Sequence, residues 1–179
     1  MKPKQIAALL KKSKKGYLVN TDKAFNGGFW ATNQEFLVKL NGSQFQEVRE
    51  SLGSPELEKG FCFRRVEKEW SHERETINLY PVLTANYQQE FTLTPFTYHY
   101  KDERSKMKKA RLFVGSGKET RLVNDDWVSI LGLDQGCKKF FSNDSLCIQV
   151  VEDGEVVALI MPIYNAPSSR DLEMIANIL

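Results

Sequence analysis

Apolar positions along this chain recur in two periods, that of a helix and that of a strand. In PKQIAALLKKSKK, Ile6, Leu9 and Leu10 stand at i, i+3 and i+4, which predicts a short helix. Lys11, Lys12, Lys14 and Lys15 fall in its last turns, where cations suit the negative end of the helix dipole, and Gly16 is the expected stop. YLVNTD predicts a strand and KAFNGG a turn at Asn26-Gly27. FWATNQEFLVKL predicts a hairpin, with strands at 29–32 and 36–40 about a turn at Asn33-Gln34. In GSQFQEVRESLG, Phe45, Val48 and Leu52 form the apolar side of a second helix, with Ser43 and Gln46 as its cap and Gly53 as its stop.

The middle of the chain is β-branched and aromatic. FCFRRVEKEW, ETINLYPVL and FTLTPFTYHY each predict a strand. Pro95 interrupts the last of these, which marks it as an edge strand or a bulged one, because proline has no N–H for the ladder. KDERSKMKKAR has no apolar period and reads as an exposed loop or hairpin tip. ARLFVGSGKETRLV predicts a hairpin around 115–117. NDDWVSILGL predicts a helix capped by Asn124 or Asp125, with Trp127, Ile130 and Leu131 inward. KKFF, SLCIQVV and EVVALIMPI predict three strands, the last two joined at Asp153-Gly154. Residues 156–161 are all apolar, which predicts burial, and Pro162 ends the run. SSRDLEMIANIL predicts a closing helix with Ser168 and Asp171 at its start and Leu172, Ile175 and Leu179 as its stripe.

These elements predict an α+β fold, an antiparallel sheet with helices on one face. The order helix, strand, strand, strand occurs twice, at 5–40 and 124–162. The expected organisation is one domain over 1–179: a first unit at about 3–40, an inserted strand-rich segment at about 41–110, and a second unit at about 111–179.

Hydrophobic residues are 41% and charged residues 27% of the 179, values of a soluble globular chain. No apolar run approaches the roughly 18 residues of a membrane span, and the apolar stretch near the N-terminus is too short for a secretion signal, so a cytoplasmic location without membrane contact is expected. Cys62, Cys137 and Cys147 are odd in number and carry no CxxC spacing, which argues against a disulfide framework or a zinc knuckle. His72 and His99 read as ordinary strand positions. Charge is unevenly spread: residues 1–111 carry 20 basic and 13 acidic side chains, residues 112–179 carry 5 and 10.

No catalytic motif survives inspection. A P-loop would need glycine where Leu112 stands and Ser or Thr where Glu119 stands, so Gly115-Ser116-Gly117-Lys118 is a hairpin turn. Asp125 and Asp126 are neighbours on a helix and point apart, so they are first-turn acids and not a catalytic pair. A non-enzymatic protein is expected, with no cofactor and no metal.

Val123, the helix at 125–131, the strand at 148–151 and the strand at 157–162 ending in Met161-Pro162 together resemble the closing unit of the DNA sliding-clamp family. The resemblance lies mainly in 119–162. The whole chain also resembles a family of uncharacterised proteins borne by phages and prophages. The resemblance implies a clamp-like fold and a role in DNA metabolism, with DNA or a protein of the replication machinery as partner; the oligomeric state stays open. One departure is plain: helices lining a clamp's hole are basic, as the first helix is, whereas DDWVSILGLD is acidic. The candidate nucleic-acid contacts are Lys4, Lys11, Lys12, Lys14 and Lys15 on the first helix, and Lys106, Lys108, Lys109 and Arg111 in the charged stretch. Lys11, Lys14 and Lys15 share a helical face at i, i+3 and i+4, which allows at most about three phosphate contacts. Two binding functions stay open: a phage-derived accessory protein of DNA metabolism, and a protein-interaction or inhibitory module. The acidic C-terminal third favours the second, as does the absence of aromatics interleaved with the lysines along the chain.

Overall fold

The structure is a computed structural model; it describes residues 1–21, 27–74, 83, 88–101, 106–117, 119–142 and 147–163. The expected turn at KAFNGG, the strand at ETINLYPVL and the closing helix at SSRDLEMIANIL fall wholly or almost wholly outside these residues. The fold is α+β, with eight antiparallel strand pairs among the described residues. It divides into two compact units: residues 1–86 with 156–159, and residues 87–155 with 160–179.

The first unit opens with helix α1 (Pro3–Lys12), strands β1 (Lys15–Thr21), β2 (Gly28–Thr32) and β3 (Phe36–Leu40), helix α2 (Gly42–Leu52), and strands β4 (Phe61–Val66) and β5 (Glu69–Arg74). The strand order is β5-β4-β1-β2-β3. Register aligns Phe63, Leu18, Ala31 and Val38 in one row across four strands. All four are buried, along with Ile6, Ala7 and Leu10 of α1 and Phe45, Val48 and Leu52 of α2. Phe45 stacks on Phe29 of β2 at 4.2 Å between ring centres. The segment 41–110, read from sequence as an insertion, supplies α2, the strand β4 that pairs with β1, and strands of both units.

Three sequence expectations change here. Helix α1 stops at Lys12, not at Gly16: Ser13 is already extended, and its N–H and Oγ both donate to the Leu9 carbonyl. Strand β1 claims Lys15 and Gly16, because β4 offers both a ladder partner, Lys15 opposite Val66 and Gly16 opposite Arg65. Gly16 is needed for closeness rather than for a turn, since a Cβ there would lie 3.1 Å from the Leu10 carbonyl oxygen. The cap of α2 is Asn41 with Gln44, a reciprocal capping box, and not Ser43 with Gln46. Strand β3 ends at Leu40, and the earlier cap satisfies backbone N–H groups at once. Finally, FCFRRVEKEW is two strands. The chain turns at Glu67, with φ 58°, and its N–H donates to the Lys14 carbonyl at 2.7 Å.

The second unit carries strands β6 (Gln89–Lys101), β7 (Met107–Gly115) and β8 (Thr120–Asn124), helix α3 (Asp125–Leu131), and strands β9 (Lys139–Ser142) and β10 (Ile148–Glu152), in the order β10-β9-β6-β7-β8. Asn124 caps α3 through its side chain, and Trp127, Val128 and Leu131 are buried. Ile130 is only half-buried. Asp153 and Gly154 both take positive φ at the expected turn into β11 (Glu155–Ile160), whose Ala158, Leu159 and Ile160 are buried. Strand β6 accommodates its proline at a bulge: its register against β7 shifts between Leu93 and Thr97, and its pairing with β9 runs over Gln89, Glu90 and Phe91, short of the proline. Beside the proline, the Thr94 hydroxyl donates to the Leu112 carbonyl at 2.9 Å, supplying a donor where proline has none.

Candidate nucleic-acid interface

The basic candidates fall into two groups, one in each unit. In the first unit Lys4, Lys11 and Lys12 are exposed on α1, while Lys14 and Lys15 lie beyond its end. Because the helix stops at Lys12, the face expected to unite Lys11, Lys14 and Lys15 does not exist; Lys15 sits in the β1 ladder opposite Val66. A residue missed by sequence reasoning completes this group. The Arg65 guanidinium Nη1 donates to the carbonyls of Leu10, at 3.4 Å, Lys11, and Ser13, at 2.6 Å. Those carbonyls are the acceptors that a helix end leaves without intrahelical donors, and a cation there also meets the negative end of the dipole.

In the second unit, residues 107–111 form strand, not loop, so the charged stretch becomes one side of a two-stranded ribbon. Its register is Tyr98 opposite Ala110, His99 opposite Lys109, Tyr100 opposite Lys108, and Lys101 opposite Met107. Directly opposed residues share a face. One face therefore carries Tyr98, Tyr100 and Lys108; the other carries His99, Lys101, Met107 and Lys109. Tyr98 and Tyr100 are half-buried and pack on the cluster Ala110, Leu112 and Leu122, which fixes the root of the ribbon. Lys101, Lys106, Lys109 and His99 are exposed.

Arg111 plays a different part from the other cations. Its Nη2 lies 2.6 Å from Asp125 Oδ1 in the first turn of α3, with both side chains about four-fifths buried. The pair ties α3 to β7, and the charge on Arg111 is already balanced. The sequence reading missed Tyr98, Tyr100, His99 and Lys101 because it looked for aromatics between lysines along the chain. Here they lie across the ladder.

His72 lies on β5 against Phe61, with ring centres 5.2 Å apart. Cys62 and Cys147 are buried and Cys137 is exposed. Among the described residues, no three His, Cys, Asp or Glu side chains converge as a metal site requires, and no helix is long and apolar enough to cross a membrane. No protein-family model, curated protein or solved structure matches the chain.

Proposed function

We propose that this chain is a non-enzymatic nucleic-acid-binding accessory protein of DNA metabolism, of phage or prophage origin and with a clamp-like arrangement. The observation that carries the reading is the register of β6 and β7, which sets Lys108 beside half-buried Tyr98 and Tyr100 on one face of the ribbon and exposed His99, Lys101 and Lys109 on the other. A two-stranded ribbon with this charge suits a polyphosphate backbone, and aromatic rings beside the cations suit bases. The twice-occurring order of helix and three strands supports the clamp-like part of the reading.

The test is binding of DNA against salt. With about four phosphate contacts from Lys101, Lys106, Lys108 and Lys109, log affinity falls against log salt with a slope near −3 to −4. The double variant Lys108→Gln, Lys109→Gln flattens that slope by roughly 1.5. A second reading, a protein-interaction module that touches no nucleic acid, draws on Phe96 and Met107 of the same ribbon, which are 47% and 59% exposed. Absence of any DNA or RNA binding at low salt, where attraction is least screened, decides for that second reading.

A further inference from the structure

Resting on the nucleic-acid reading, we infer the class of ligand: the Tyr98–Tyr100 face of the ribbon takes single-stranded nucleic acid, with two successive bases laid on the two tyrosines and a phosphate on Lys108. Tyr98 and Tyr100 are two residues apart on one strand, so their side chains leave the same face about 6.8 Å apart. Stacked bases in a duplex are about 3.4 Å apart. Two rings at twice that spacing match a strand drawn out with its bases splayed, and a duplex offers neither the spacing nor open base faces.

Position favours the same conclusion. Both rings lean on Ala110, Leu112 and Leu122, so they are held in place before a ligand arrives. Ordering two flexible side chains costs affinity, and prepacked rings avoid most of that cost. Lys108 stands directly across the ladder from Tyr100 and shares its face, which places a cation within reach of the phosphate joining two stacked bases. The bulge at Pro95 interrupts the ladder N-terminal to Tyr98, so the platform is bounded on that side. A splayed strand shows its bases whether its sugar is ribose or deoxyribose, so the ligand class covers both.

The experiment is fluorescence anisotropy at low salt with a labelled homopyrimidine DNA strand, the RNA of the same sequence, and a DNA duplex of equal length. The expected result is tighter binding of single strands than of duplex. Tyr100→Leu, which keeps an apolar side chain on the cluster, lowers single-strand affinity roughly tenfold to a hundredfold, while Tyr100→Phe retains it. Thermal melts of both variants confirm folding; if Tyr100→Leu melts early, Tyr98→Leu replaces it with the same expectation. Unequal affinity for the DNA and RNA strands says which sugar is preferred. Duplex bound as tightly as single strand, or folded Tyr→Leu variants that bind as wild type does, overturns the inference and leaves the nucleic-acid reading standing. Failure of all three probes to bind overturns both.

Discussion

Asn33 holds the β2–β3 turn through four hydrogen bonds from one buried side chain. Its Oδ1 accepts from the N–H groups of Glu35 and Phe36, at 3.0 and 3.1 Å; its Nδ2 donates to Ser13 Oγ at 3.0 Å and Glu35 Oε2 at 3.1 Å. Asn33→Ala leaves several of these groups without a partner, so a loss of about 2 kcal/mol is expected, read as a fall in Tm of roughly 4–8 °C. Beside it, partial desolvation pushes the carboxyl of Glu35, a residue exposed overall, above its ordinary value, and the hydrogen bond from Asn33 only partly offsets this. The sign follows. A raised carboxyl means the folded chain holds its proton more tightly than the unfolded one, so this residue's contribution is greatest below the ordinary glutamate range and is lost as pH rises through its folded pKa. Glu35→Gln is therefore expected to raise Tm at pH 7 and to leave it unchanged near pH 3.5, measured by melts across that window. The turn at Asn33-Gln34 was legible because Asn is a turn residue with its own side-chain acceptor. The reach from Asn33 to Ser13 was not, because it joins positions 20 residues apart.

Helices and strands were legible where one period dominated, as in Ile6 and Leu10 of α1 or Phe45, Val48 and Leu52 of α2. Their ends were decided by neighbours. Lysines and a following glycine are local signs of a helix end, but they place the end of α1 three residues too late, because β1 pairs with β4 from Lys15 onward. What closes the helix is Arg65, more than 50 residues away in sequence. Arg65→Gln is expected to cost about 1 kcal/mol, seen in urea unfolding, and to speed amide exchange in the last turn of α1. Arg65→Lys keeps the cation at the helix end and is expected to recover part of this. Glu67 shows the same limit: a turn without glycine, proline or asparagine gives no local signal, and the β4–β5 register enforces it.

Across the whole molecule, charge was the most legible property, because it needs only composition: the excess of basic residues lies before residue 112 and the excess of acids after it. What charge does depends on placement that composition lacks. Arg111 counts toward the basic excess, yet Asp125 balances it at 2.6 Å. Tyr100 meets Lys108 only because the β6–β7 hairpin pairs Lys101 with Met107; a shift of one residue would move every partner to the other face. The two basic groups therefore have different expected roles. Lys11, Lys12, Lys14 and Lys15 are expected to attract any polyphosphate alike, because phosphate contacts carry no information about stacking. On the ribbon, Lys108 shares a face with Tyr98 and Tyr100, and rings distinguish open bases from stacked ones. Reversing Lys11, Lys12, Lys14 and Lys15 to Glu is expected to weaken single strand and duplex by the same factor, leaving their ratio unchanged and flattening both salt slopes. Tyr100→Leu is expected to change the ratio and leave the slopes as they were. Competition binding with both ligands at two salt concentrations separates these outcomes. A ratio that moves with the α1 lysines would assign discrimination to that group and remove it from the ribbon.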